Sequence, residues 1–215
     1  MHNFIYVTEK EAKPYKDKLI EMTLELQDLI REYFTFQFHF IGSSERNMIT
    51  YDPKTNIGYD FDIDYAINDF EEEYSASEIH NIIFAGLQKL CLRYGYNKIE
   101  DSTRVITVKK VDPFSSRILH SCDIALINEY EENGECRQEY IRHNKKTNSY
   151  MWVKRSAPYK LGKKIDYIKN SGNWNLVREL YLDKKNYNDD PNKKSRSLYA
   201  ESVKEVYDRL KTQRQ

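Results

Sequence analysis

Residues 59–67 read Tyr-Asp-Phe-Asp-Ile-Asp-Tyr-Ala-Ile, and this alternation constrains the chain more than any other stretch of it. A period of two puts Tyr59, Phe61, Ile63, Tyr65 and Ile67 on one face of a strand and Asp60, Asp62 and Asp64 on the other. Asp is disfavoured in strands and neighbouring like charges repel, so such a strand carries a local cost unless something draws the carboxylates together. A solvated charge row guarding a sheet edge is the plain explanation. A divalent cation is the stronger one, because carboxylates at i and i+2 stand about 7 Å apart and hard cations prefer their oxygens.

Two further segments support the metal reading. Cys122-Asp123-Ile124-Ala125-Leu126-Ile127 is an apolar strand with a single carboxylate, which would complete the set begun by Asp60, Asp62 and Asp64. Upstream, Gly42-Ser43-Ser44 ends the run Phe36-Gln37-Phe38-His39-Phe40-Ile41, and a Gly-Ser turn offers close backbone approach and donors for a phosphate. Two divalent ions held by such acids stabilise the attacking and leaving oxygens of an in-line phosphoryl or nucleotidyl displacement.

Around this centre the spacing predicts an amphipathic helix from Glu9 to Phe34, carried by Leu19, Met22, Leu26, Ile30 and Phe34. A second helix is expected over Ser77 to Tyr94, with Ser77 as N-cap and Gly95 as stop. Strands are expected at residues 105–108 and 122–127, and a hairpin from residues 138–142 and 149–153. From Pro158 onward the pattern is helical and basic, enough for three short helices, with a mobile loop over residues 186–194. The expected division is a core over residues 1–157 and a helical segment over 158–215 packing on it.

The 34 Lys+Arg and 34 Asp+Glu cancel to zero net charge, but unevenly. Residues 1–75 hold 7 Lys+Arg against 16 Asp+Glu, a net −9, while residues 146–215 hold 17 against 8, a net +9. This argues against a broad polyanion-binding surface and allows a focused cleft where acids hold metal and cations hold phosphate. The three cysteines, at 91, 122 and 136, lack metal-ligand spacing and suggest reduced, buried thiols. The N-terminus has no basic region ahead of a long apolar run, and no stretch reaches the ~18 apolar residues of a membrane span, so a cytoplasmic protein without membrane contact is expected.

In the order Ile41-Gly42-Ser43, then Asp60-Phe61-Asp62-Ile63 or Asp62-Ile63-Asp64-Tyr65, then Ser121-Cys122-Asp123-Ile124-Ala125-Leu126, the sequence resembles the DNA polymerase β-like nucleotidyltransferase superfamily, and within it the branch of cyclic GMP-AMP synthase and oligoadenylate synthase. The resemblance covers residues 19–127. It departs from the family in a longer spacer after Ser43 and in three alternating aspartates instead of two. Both pairs satisfy the pattern, and Asp62 belongs to both.

The resemblance implies an α+β fold, a nucleotidyltransferase core with a mixed antiparallel sheet flanked by helices, plus a small C-terminal helical appendage. It implies Mg²⁺, with Mn²⁺ as a substitute, and transfer of a nucleoside monophosphate from a triphosphate such as ATP to a hydroxyl with loss of pyrophosphate. The product would be a linear or cyclic nucleotide if the acceptor is itself a nucleotide. The implied catalytic residues are Asp60, Asp62 and Asp123, the metal ligands Asp60, Asp62, Asp64 and Asp123, and the nucleotide contacts Gly42, Ser43 and Ser44.

Lys194 and Ser195, in the run Lys193-Lys194-Ser195-Arg196-Ser197, are further candidates for triphosphate oxygens, although a basic run near a C-terminus is more often a solvated face. Arg104 and Lys109 are weaker phosphate candidates, and Tyr150, Trp152 and Tyr159 weaker base-stacking ones. His39 reads as a core histidine, and His120 is only slightly better placed to act. Nucleotide or small-molecule acceptors are favoured over long RNA. Two alternatives remain open: a non-catalytic nucleotide- or nucleic-acid-binding module of the same fold, and a metal-dependent nuclease, which leaves the Gly-Ser turn unexplained.

Overall fold

The structure is a computed structural model and describes residues 2–69, 72–156, 159–190 and 192–212. In chain order the first elements are β1 (Ile5–Tyr6), α1 (Glu9–Ile30), β2 (Thr35–Ile41), α2 (Gly42–Glu45), β3 (Thr50–Tyr51) and β4 (Tyr59–Asn68). There follow α3 (Ala76–Leu90), β5 (Lys98–Asp101), β6 (Ile106–Val111), β7 (Ile118–Glu132), β8 (Glu135–Asn144) and β9 (Ser149–Lys154), and then α4 (Gly162–Asn170), α5 (Trp174–Tyr187) and α6 (Ser195–Thr212).

The alternating stretch is the centre of a seven-stranded mixed sheet ordered β2-β4-β7-β6-β5. β4 runs antiparallel to β2 and parallel to β7, and the remaining pairs are antiparallel. β7 is long enough to serve twice. Its first part lies against β4 and β6, and its last residues pair with β8, which carries β9 in turn. The fold is therefore α+β, as expected.

The apolar face of β4 closes on the helices. Phe61, Ile63 and Tyr65 are buried with Leu19, Met22 and Leu26 of α1 and Ile79, Ile83 and Leu87 of α3. Tyr65 keeps its hydroxyl satisfied by Thr23 Oγ1 at 2.8 Å, which a buried phenol requires. The two helices pack closely because Gly86 has no side chain: a Cβ there would lie 2.4 Å from Leu26 Cδ1.

Both helices begin at capping boxes. Thr8 with Glu11 opens α1, and Ser75 with Glu78 opens α3. The expected cap at Ser77 is thus displaced by two residues, because Glu78 stands three after Ser75 and can bond back to it. α1 stops at Ile30 instead of Phe34, where Tyr33 N–H turns back to Ile30 O ahead of β2. α3 stops at Leu90 in a turn that ends at Gly95, with φ +86°. β5 was not expected at all.

The chain divides into two compact units. One comprises residues 7–50 and 56–156 and holds α1, β2, α2 and everything from β4 to β9. The other comprises residues 1–6, 51–55 and 157–215 and holds β1 and the three C-terminal helices. The boundary expected at 157/158 lies outside the described residues. Within the second unit Asn186 Oδ1 takes Phe4 N–H at 2.6 Å, and Tyr6 Oη donates to Arg178 O at 2.7 Å. Of the loop expected over 186–194, residues 186 and 187 complete α5, and Asp190 Oδ1 accepts from Asn192 N–H at 2.8 Å; Pro191 lies outside the described residues. Among the described residues no helix is long and apolar enough to cross a membrane.

Candidate active site

The register of the parallel pair assembles the acids. Asp62 on β4 lies opposite Asp123 on β7, and Asp60 lies opposite Ser121. All four side chains share one face, since residues with the opposite parity, Phe61 and Cys122, are fully buried on the other. Asp60 is exposed, Asp62 and Asp123 are partly buried, and Asp64 is buried.

Each outer acid has its own hydroxyl. Ser121 Oγ donates to Asp60 Oδ1 at 2.9 Å, and Thr107 Oγ1 on β6 donates to Asp123 Oδ1 at 2.6 Å. Asp62 is held through its backbone, its N–H donating to Ser44 Oγ at 3.2 Å. Its carboxylate lies against Gly42, where a Cβ would meet Asp62 Oδ2 at 2.8 Å. Gly42 also has φ +64°, so glycine is required there on two counts. The Gly-Ser turn and the aspartate strand, 18 residues apart at Ser44 and Asp62, are thus one piece of structure. Ser43 O accepts from Met48 N–H at 2.9 Å, while Ser44 is fully buried.

The electrostatics follow from this crowding. Burial pushes the Asp62 carboxyl up to about 7, with the charges of Asp60 and Asp123 adding to the rise and Arg46 opposing it. Burial raises Asp123 as well, against the Thr107 bond and the Lys109 charge. Lys16 on α1 donates to Ser44 O at 2.6 Å and so ties α1 to the turn. Arg46, Lys16, Ser121 and Thr107 escaped the sequence reading. Only the register and the fold bring them to the acids.

Asp64 stands apart. Both of its oxygens are taken by Arg155, from Nη1 at 2.5 Å and Nη2 at 3.2 Å. Among the described residues no group of three or more His, Cys, Asp or Glu side chains forms a ready-made set of metal ligands. Asp60 and Asp123 each have one oxygen bonded, to Ser121 and Thr107, and Asp64 has both bonded to Arg155. The donor chemistry nonetheless fits a hard divalent cation. Carboxylates crowded enough to hold one proton near neutrality are stabilised when a cation replaces that proton.

Of the remaining candidates, Lys109 stays beside the acids, opposite Ser121 and with its charge acting on Asp123, while ion-paired to Glu100 at 2.6 Å. The others scatter, and Arg104 lies over the Tyr140 ring. His39 is exposed, not in the core, because it shares the parity of Asp64 across β2 and β4 instead of that of Phe36 and Phe38. His120 is buried between Tyr15 and Tyr96, on the face away from the acids. Tyr150 is stacked between His80 and His143. Trp152 is on β9, half-buried. Tyr159, Lys194 and Ser195 belong to the C-terminal unit, where Arg196 and Lys204 lie over Tyr159 and Lys194 O accepts from Ser197 N–H at 2.9 Å. Cys91 and Cys122 are buried thiols, but Cys136 is exposed.

No family model matches the chain, and no curated protein matches it either. Solved structures do. The chain is similar to the Vibrio cholerae DncV cyclic AMP-GMP synthase, a prokaryotic cGAS homologue, with a TM-score of 0.64 at 13% identity over 94% of this chain and 68% of that one. It is similar to the Bradyrhizobium diazoefficiens CD-NTase CdnG in complex with GTP, with a TM-score of 0.51 at 19% identity, covering 84% of this chain and 50% of that one. A third similar structure is the Elizabethkingia meningoseptica cyclic dinucleotide synthase CdnE with GTP and Apcpp, with a TM-score of 0.52 at 14% identity over 87% and 67% of the two chains. The chain thus spans about half the length of CdnG. With its mixed seven-stranded sheet and flanking helices, it has the nucleotidyltransferase fold of the cGAS and DncV type.

Proposed function

We propose that the protein is a Mg²⁺-dependent nucleotidyltransferase that moves a nucleoside monophosphate from a nucleoside triphosphate to a hydroxyl, with release of pyrophosphate. The observation that carries this is the placement of Asp62 between Asp123 across the sheet and Gly42 in the Gly-Ser turn. It puts a cation-seeking acid cluster beside a phosphate-suited turn in a fold whose solved examples hold ATP or GTP.

Asp60, Asp62 and Asp123 would hold the divalent ion, which when bound supplies charge neutralisation for the triphosphate and lowers the cost of ionising a hydroxyl. Ser121 and Thr107 keep Asp60 and Asp123 aimed by bonding one oxygen of each. Gly42 leaves room for the Asp62 carboxylate against the Gly-Ser turn, and Ser43 contacts the β- and γ-phosphates. Arg46 adds positive charge beside Asp62. Lys194 and Ser195 enter this proposal as phosphate contacts on the sequence pattern alone.

A nucleotide or small-molecule acceptor is favoured over long RNA, since the basic excess is confined to residues 146–215 and offset by the acidic first third. Incubation with the four ribonucleoside triphosphates and Mg²⁺, read by pyrophosphate release and product mass spectrometry, tests the reading. A new nucleotide linkage absent from Asp62→Asn supports it. Nucleotide-dependent thermal stabilisation with no turnover by any triphosphate would instead favour a binding module.

A further inference from the structure

Asp64 continues the acid row of β4 by sequence but not by environment. It is only 4% exposed, and its cross-strand neighbours are Ala125 on β7 and His39 on β2, with no second carboxylate among them. The Arg155 guanidinium grips it with two parallel N–H donors, the forked geometry that gives the strongest arginine–carboxylate pairs. Arg155 is itself fixed. Nη1 also donates to Gln138 Oε1 at 3.1 Å, and the Arg155 backbone N–H donates to Gln138 O at 2.8 Å, so β8 orients the residue that follows β9.

Resting on the metal reading proposed above, we infer that Arg155 is a positioning residue that withholds Asp64 from the metal, so that a row of three acids presents only Asp60 and Asp62 from β4. The pairing serves the site in two ways. It compensates a buried charge where it stands, and it removes a competing ligand that could draw the ion along the strand. Removing one partner of such a pair leaves a buried charge uncompensated, whereas removing both does not.

Mn²⁺ binding to the full chain, followed by electron paramagnetic resonance of the free ion together with thermal unfolding, tests the inference. Asp64→Asn is expected to lower the melting temperature and to leave Mn²⁺ affinity within about twofold, whereas Asp62→Asn weakens it by about tenfold or more. Arg155→Met frees Asp64 and is expected to tighten Mn²⁺ binding or add a site, a gain that Asp64→Asn/Arg155→Met loses. If Arg155→Met does not fold, Arg155→Gln, which removes the charge but keeps a polar side chain, carries the same comparison. Loss with Asp64→Asn equal to that with Asp62→Asn overturns the withholding role, as does an Arg155 variant that binds Mn²⁺ like wild type. Binding that survives Asp62→Asn overturns the metal reading itself.

Discussion

Two partly buried carboxylates in the same sheet, Asp62 and Asp101, have opposite surroundings. Asp101, at the end of β5, is closed by its neighbours: Tyr150 Oη donates to it at 2.5 Å, His80 Nε2 lies at 3.2 Å and His143 Nδ1 at 3.1 Å. The Tyr150 ring is sandwiched between the two imidazoles, with centroids 3.9 and 4.4 Å away. α3 and β9 bond to it through His80 and Tyr150, and His143 of β8 adds a close contact, so this acid is satisfied from within. Asp62 has Asp60 and Asp123 as its strongest electrostatic neighbours, and burial together with their charges pushes its carboxyl up. An acid that the fold completes holds the fold together. One that the fold crowds with other acids is stable only when something from outside arrives.

The comparison breaks first at Asp62. Asp62→Asn should cut pyrophosphate release by about a hundredfold or more, as for loss of one group that stabilises charge developing in a transition state. The same variant should raise the melting temperature of the metal-free protein, because it removes a charge from a like-charged cluster. A variant that loses both activity and stability would place Asp62 with Asp101 as a structural acid.

Asp101→Asn is the converse test. The amide keeps the shape but offers one acceptor oxygen where the carboxylate meets both the Tyr150 hydroxyl and the His80 ring, so unfolding in urea should show a loss of about 2 kcal/mol. Mn²⁺ affinity should not change. A stability loss of a few tenths would mean that the His80, His143 and Tyr150 cluster does not depend on the carboxylate.

The two centres also differ in how far they could be read from the sequence. Asp60, Asp62 and Asp123 were legible because alternation against an apolar partner face is local information, and Gly42-Ser43 because a turn is. The Asp101 centre was not, since His80, Asp101, His143 and Tyr150 come from four separate segments and none of them breaks its local pattern. The pairing of Asp64 with Arg155 was illegible for the same reason: the two lie 91 residues apart. β5 was missed because Lys98-Ile99-Glu100-Asp101 has little strand propensity, and its pairing with β6 supplies what propensity lacks. His39 was placed in the core although the alternation of Phe36 and Phe38 already assigned it to the other face.

A smaller effect sharpens the comparison from the side of the supporting shell. Thr107→Val removes the hydroxyl that holds Asp123 Oδ1 at 2.6 Å while keeping the side chain's volume. Mn²⁺ affinity should fall by about tenfold, the lower end of what groups orienting a metal ligand contribute. Stability should change by about 1 kcal/mol at most. Isothermal titration of the metal into both proteins separates the two numbers, and an unchanged affinity would mean that Asp123 needs no support to bind.

The smallest effect concerns the far face of β7, where burial pushes His120 down from 6.5 to about 4, helped by the charges of Lys110 and Lys18. A histidine whose folded value lies below its unfolded one binds fewer protons when folded. Its contribution to stability is therefore present above about 6.5 and is lost as pH falls through about 4. Asp62 runs the other way, its raised carboxyl costing metal-free stability as pH rises towards about 7, so the histidine is best isolated in the Asp62→Asn background. There, urea unfolding between pH 7 and pH 4 should show stability falling with acidity, and His120→Phe, which keeps an aromatic ring between Tyr15 and Tyr96, should make that fall shallower. His80, whose value burial also lowers, keeps part of the slope. An identical slope with and without His120 would show that His120 takes up no proton in this range and would leave the acid response with His80.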